Sequence, residues 1–101
     1  MAVIVEFEVP EATLEQAYAV EALTRARGEA AGRPPYVGCM FFATMPTETG
    51  FRCTSAWRTE SDFRAVMETM LGPDLSSVGR AAVGITVSPV VSMAIPGAHG
   101  P

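Results

Sequence analysis

The sequence has no lysine and no asparagine, a single histidine and two cysteines, and all seven of its basic residues are arginine. A net charge of −4 leaves no basic stripe of the kind a nucleic-acid binder presents to phosphates. The arginine-only usage reads as the codon bias of a GC-rich genome, not as an arginine recognition surface. One histidine, His99, and two thiols, Cys39 and Cys53, give no metal-ligand spacing. No Walker A loop, no G-x-G-x-x-G and no G-x-S-x-G elbow is present, so nucleotide, dinucleotide and hydrolase readings lack support. No apolar run approaches the roughly 18 residues of a membrane span. The opening segment Met1-Ala2-Val3-Ile4-Val5-Glu6 has no basic n-region and soon meets an acid. The expectation is a cytoplasmic protein with no signal peptide and reduced thiols.

What is present is an apolar globular composition, 49% hydrophobic and 18% charged over 101 residues. That length makes one domain, expected over 1–95 with a loose tail at 96–101. Excess apolar surface in so short a chain points to a partner surface or an internal ligand cavity. Residues 2–9, AVIVEFEV, alternate with period two and predict a strand ended by Pro10. Thr13-Leu14-Glu15-Gln16 fits a capping box opening an Ala-rich helix to about Ala26, broken by Gly28, Gly32, Pro34 and Pro35. Tyr36 to Met45 and Phe51 to Arg58 read as strands joined by the loop 46–50. Thr59 to Asp62 caps a second helix with an apolar stripe of Phe63, Val66, Met67, Met70 and Leu71, stopped by Gly72-Pro73. A last strand spans about Val83 to Met93, and Pro89 within it suggests an edge or a bulge.

This β-α-β-β-α-β order predicts an α+β, ferredoxin-like domain: a four-stranded antiparallel sheet with two helices on one face and the other face bare. By parity, Val3, Val5, Phe7 and Val9 should meet the helices, as should Val83, Ile85 and Val87. Glu6, Thr86 and Ser88 then point to the bare face. Phe51, Cys53, Ser55 and Trp57 share one face, and the small Thr54 and Ala56 suit a place under a helix. Cys53, Ser55 and Trp57 are therefore expected on the bare face beside Glu6. That face, with either Met40 and Phe42 or Cys39 and Phe41 added from the second strand, is too sticky for water. Packing two such sheets across a two-fold axis, as a homodimer, would cover it.

The stretch Ala56-Trp57-Arg58-Thr59-Glu60-Ser61-Asp62-Phe63 resembles the W-x-S/T-x-x-x-F signature of the dimeric α/β-barrel superfamily. With the element order, the resemblance covers about residues 2 to 93. It implies the dimeric barrel fold and admits many chemistries: antibiotic-biosynthesis monooxygenases, haem-degrading monooxygenases, polyketide cyclases and muconolactone isomerases. Trp57 matches the pocket tryptophan of the haem-degrading enzymes. Their pattern also wants an Asn on the first strand and a His ending the second helix, and this chain has neither. With no axial-ligand candidate, haem degradation is not expected.

Chemistry without metal or organic cofactor remains, on a hydrophobic aromatic or polyketide-like molecule. The resemblance implies an enolate stabilised in an apolar pocket by an acid/base group. Glu6 is the candidate acid/base; the alternative is a solvated carboxylate, with Glu6 or Glu8 paired to Arg52 or Arg58. Trp57 either stacks on a flat ligand or fills a dimer core. Arg58 either holds an oxyanion or is an exposed strand-end charge. Tyr36, Met40, Phe42, Ser55, Thr86 and Ser88 are the candidate substrate contacts, and Tyr18 is expected to pack at the helix–sheet interface. The reading is a cofactor-independent monooxygenase or cyclase; the alternative is a non-catalytic carrier, resistance or sensing protein. If the hairpin turns within 46–50, Cys53 lies opposite about residue 43. Cys39 is then some four residues further on, beyond disulfide reach at about 3.4 Å per residue.

Overall fold

The computed structural model describes residues 1–94; the tail expected over 96–101, His99 included, lies outside them. Strands β1 (Val3–Pro10), β2 (Cys39–Pro46), β3 (Gly50–Trp57) and β4 (Val83–Pro89) form one antiparallel sheet in the order β2-β3-β1-β4. Helix α1 (Leu14–Ala31) follows β1, and a segmented helix follows β3: α2 (Glu60–Val66), a π-helical turn at Met67–Leu71, and α3 (Gly72–Ser77). The architecture is the ferredoxin-like α+β arrangement.

The α1 N-terminus is the capping box read from the sequence. Thr13 Oγ1 accepts from the Gln16 N–H at 3.2 Å, and the Gln16 side chain accepts from the Thr13 N–H at 2.9 Å. The helix runs five residues past Ala26, to a left-handed cap at Gly32 (φ 64°). Gly28 does not break it. A Cβ there would lie 2.9 Å from Pro35 Cδ, so this glycine admits the returning chain instead.

Gly72-Pro73 does not stop the second helix either. The Gly72 N–H reaches back five residues to the Met67 carbonyl, and a Cβ on Gly72 would stand 2.7 Å from that oxygen. The wide turn lets α3 restart with Pro73 in its first turn, where no N–H is needed. Leu71 and Leu75 are thereby carried into the core.

The β1–β3 register decides the faces. Val3 pairs with Trp57, Val5 with Ser55, Phe7 with Cys53 and Val9 with Phe51, and all eight are buried under the helices. The expectation that Cys53, Ser55 and Trp57 occupy the bare face is therefore corrected: Arg52, Thr54 and Ala56 do, opposite Glu8, Glu6 and Ile4. The seryl hydroxyl made that row look polar, but it is satisfied internally. Trp57 Nε1 donates to Ser55 Oγ at 2.8 Å, and Ser55 Oγ donates to the Val5 carbonyl at 3.5 Å.

Two bulges correct the parity further. Cys39 pairs with Trp57 but Phe41 with Ala56, leaving Met40 as the extra residue. In β4 the register slips between Glu6↔Thr86 and Glu8↔Val83, where Gly84 has φ 63°. Val83 thus joins Glu8 on the open face instead of the helix row. Pro89 ends β4, which is an edge strand. Phe63 is fully buried edge-on to Trp57, ring centroids 5.6 Å apart. Phe63→Ala is expected to cost about 3–5 kcal/mol in urea denaturation, because it empties the centre of the core.

Candidate functional site

Helix α1 spans 18 residues, yet Val20 is its one buried residue. Its side chains on the cavity side, Ala17, Val20 and Thr24, with Leu14 and Glu21 at the exposed rim, recur at helical spacing and border a space, not a packed layer. The helix is held instead by polar ties near its two ends. Gln16 Nε2 donates to the Val78 carbonyl at 3.1 Å, and Arg80 Nε donates to Gln16 Oε1 at 3.3 Å. Near the other end, Arg27 forks onto Asp74 of α3 through Nε (3.2 Å) and a terminal nitrogen (2.6 Å). The carboxylate is buried and raises the guanidinium pKa further, by hydrogen bonding and by charge.

Between these ties lies a cavity of about 740 Å³, partly open to solvent. Phe7, Phe42, Phe51 and Cys53 floor it from the sheet; Leu71 and Leu75 close it from the π turn and α3. Tyr36 enters from the α1–β2 connection, its ring 5.5 Å from Phe42 and 6.0 Å from Trp57. Two hydrogen-bonded pairs supply polarity: the Tyr36 hydroxyl with Thr24 Oγ1 at 3.1 Å, and Thr44 Oγ1 with Cys53 Sγ at 3.7 Å. Such a space, apolar with a few convergent polar groups, is the usual form of a small-molecule site.

Burial dominates the titration of these groups. It raises the Tyr36 phenol above its ordinary value, aided by the Asp74 carboxylate and opposed by the Thr24 hydrogen bond. Burial also pushes the thiols of Cys39 and Cys53 up to about 11; hydrogen bonds to the Phe41 carbonyl and to Thr44 respectively oppose it. Both cysteines are free, Cys53 opposite Thr44 and Cys39 opposite Trp57. Among the described residues no group of three or more His, Cys, Asp or Glu is placed to hold a metal ion, and no helix is long and apolar enough to cross a membrane.

The expected site residues do not come together. Tyr36 and Phe42 are on the cavity wall. Trp57 and Ser55 are wholly buried behind it. Glu6, Thr86 and Ser88 lie on the opposite, open face of the sheet, in line with Thr54 and Ala56. Met40 sits exposed at the β2 bulge, and Arg58 is exposed beyond β3, its N–H bonded to the Gly38 carbonyl. Glu8, not Glu6, pairs with Arg52, at 2.7 Å. Tyr18 is not packed at the helix–sheet interface; it stands 65% exposed at the cavity mouth. Sequence reasoning missed Glu21, Thr24 and Thr44. The first two share the Ala17/Val20 stripe of α1, and Thr44 stands two residues from Phe42 on one strand face, so a signal was present.

No family model and no curated protein matches the sequence. Solved structures do match in shape. Protein YJCS superposes with TM-score 0.65 at 11% identity, covering 89% of this chain and 99% of that one. A candidate antibiotic biosynthesis monooxygenase from Chloroflexus aurantiacus gives 0.57 at 14%, with 94% and 99% covered. SnoaB, a cofactor-independent oxygenase from Streptomyces nogalater, gives 0.57 at 12%, with 94% and 95% covered. The chain has the fold of these proteins.

The raised thiol pKa values make a prediction whose sign follows from linkage. The folded chain keeps protons that the unfolded chain, with ordinary thiols near 9.0, releases. The thiols therefore leave stability unchanged below pH 9 and lower it between about 9 and 11. Alkylation by iodoacetamide at pH 8 should run at least tenfold slower in the folded protein than in urea, as judged by mass spectrometry. Equal rates would contradict the burial of Cys53 and the half-burial of Cys39.

Proposed function

We propose that the cavity between α1 and the sheet is the active site of a small tailoring enzyme. It would oxygenate or cyclise a flat hydrophobic molecule, aromatic or polyketide-like, without a metal or organic cofactor. The observation that carries this reading is the cavity itself: about 740 Å³, floored by aromatic rings, with the Tyr36 hydroxyl held on its wall. The likeness in fold to a cofactor-independent oxygenase supports it. Because β1 turns Glu6 away from this space, the acid/base role moves. Tyr36 donates to a substrate oxygen and stabilises the enolate form, and Glu21 at the mouth is the wall carboxylate able to take up the proton. For an anthrone-type substrate the balance is one O₂ consumed, one oxygen placed on the methylene carbon as a carbonyl, and the other leaving as water with its two hydrogens. Trp57 acts from behind, as packing for Tyr36 and Phe63 and not as a stacking surface for substrate.

A second reading is a carrier on the same scaffold. The neutral state of Tyr36 and Cys53 inside the cavity favours it, since neither can serve as a base near neutral pH. Anthrone under oxygen separates the two. Formation of anthraquinone, with Tyr36→Phe at least tenfold slower, is expected of the enzyme; binding with unchanged substrate is expected of the carrier. No binding at all contradicts both.

The open face supports a homodimer. Phe41, Met45 and Val83 are each at least 40% exposed there, around the polar row of Glu6, Thr54 and Thr86. Two copies packed sheet to sheet would cover them and leave both cavities outward. The cytoplasm would keep both thiols reduced. Sedimentation at micromolar concentration should give twice 10.7 kDa, and Phe41→Glu should shift it toward the monomer. A wild-type mass near 10.7 kDa would sink the dimer.

A further inference from the structure

We infer that Tyr18 is the stacking surface for the ligand: its ring at the cavity mouth takes the outermost ring of a linear molecule of three or more fused rings. This inference rests on the pocket reading above and names the shape of molecule that the pocket selects. It starts from which aromatic faces are free. Trp57 is wholly buried behind the wall. Phe7 and Phe51 line the cavity but are only 2% and 4% exposed, so little of either ring is left for a ligand. Phe42 packs against Tyr36 at 5.5 Å and edge-on to Phe7 at 6.5 Å, and Tyr36 also packs against Trp57. Tyr18 has no ring partner among the described residues and stands 65% exposed. A solitary exposed aromatic would mean little, but this one has apolar company. Leu14, half exposed one turn earlier, shares the rim, and Pro46 reaches it from β2. The three carry the apolar lining of the cavity out to the surface.

The ends of the cavity set the length of what can lie in it. Leu71 and Leu75 are buried and close the inner side, so a ligand can extend only toward the mouth. Its hydrogen-bonding anchor is the Tyr36 hydroxyl, held by Thr24 on α1. Tyr18 lies nearer the helix N-terminus than Thr24, by about 9 Å at a rise of about 1.5 Å per residue. Helical side chains lean toward the N-terminus, and the long Tyr18 side chain leans further than Thr24. A molecule with a terminal oxygen at Tyr36 and two fused rings fills the inner part of that span. A third ring in line reaches Tyr18. Offset stacking there adds to the burial of the ring, a contact the shorter molecule lacks.

Two alcohols that differ by one ring, 2-naphthalenemethanol and 2-anthracenemethanol, test this with the full chain. In fluorescence titrations, Tyr18→Ala is expected to weaken the three-ring alcohol at least fivefold and the two-ring alcohol less than twofold. Tyr18→Phe, which keeps the ring and drops the hydroxyl, should leave both within twofold of wild type. The position is exposed and alanine favours a helix, so Tyr18→Ala keeps its fold, which circular dichroism checks. Equal losses for the two alcohols would overturn the placement of the third ring on Tyr18. Unchanged binding of the three-ring alcohol in Tyr18→Ala would overturn the stacking role and leave the pocket reading standing. A Tyr18→Phe protein as weak as Tyr18→Ala would overturn stacking in favour of the hydroxyl. Wild-type protein that binds neither alcohol overturns the pocket reading, and this inference with it.

Discussion

The pairing of β3 with β1 is the constraint on which everything else in this chain depends. With Val3 opposite Trp57 and Val5 opposite Ser55, both alternating rows turn toward the helices together. A slip of one residue would send Trp57 to the open face and bring Arg52 under α1. The hydrogen bonds of Ser55 hold this arrangement at its one polar point. Its hydroxyl takes the indole N–H of Trp57 and reaches the Val5 carbonyl, so a serine sits in the core with no unpaired group. Trp57, fixed in this way, supports Phe63 on one side and Tyr36 on the other, and Tyr36 brings its hydroxyl to the cavity.

The same sheet face has two halves of different character. Under α2 and α3 it is packed, with Trp57, Phe63, Val66 and Leu75 buried in contact. Under α1 it is not, and that helix stands off the sheet on polar ties through Gln16 and Arg27. The π turn at Met67–Leu71 joins the two halves, since it aims Leu71 and Leu75 at both the core and the cavity wall. A helix held by its ends over an apolar space leaves part of the hydrophobic gain of folding unrealised until something fills that space. The cavity is thus a consequence of how the Ala-rich α1 is attached, and its chemistry follows from which side chains that helix turns inward.

The element order, the capping box at Thr13, the helix-facing row of β1 and the edge position of Pro89 were legible in the sequence because each depends on local pattern. The faces of β3 were not. Alternation says that Phe51, Cys53, Ser55 and Trp57 lie together, but which side they take is a tertiary matter, and the small Thr54 and Ala56 misled. The bulges at Met40 and Gly84 were equally hidden; each adds one residue and reverses parity beyond it, so Val83 changed face. Gly72-Pro73 read as a stop because the π turn that accommodates it leaves no sequence mark. These misassignments gathered the candidate residues on the sheet face that the structure places opposite the cavity. Tyr36 and Phe42 stayed with the cavity, while Glu6, Thr86 and Ser88 did not.

The proposal is therefore one of location: small molecules would enter between α1 and the sheet, and the open sheet face would meet another copy of the chain. Backbone amide shifts in a two-dimensional NMR titration with 9-anthracenemethanol test it most directly. The account predicts saturable shifts concentrated at Val20, Thr24, Tyr36, Phe42, Thr44 and Cys53. Shifts concentrated instead at Glu6, Thr54, Thr86 and Ser88 would contradict it.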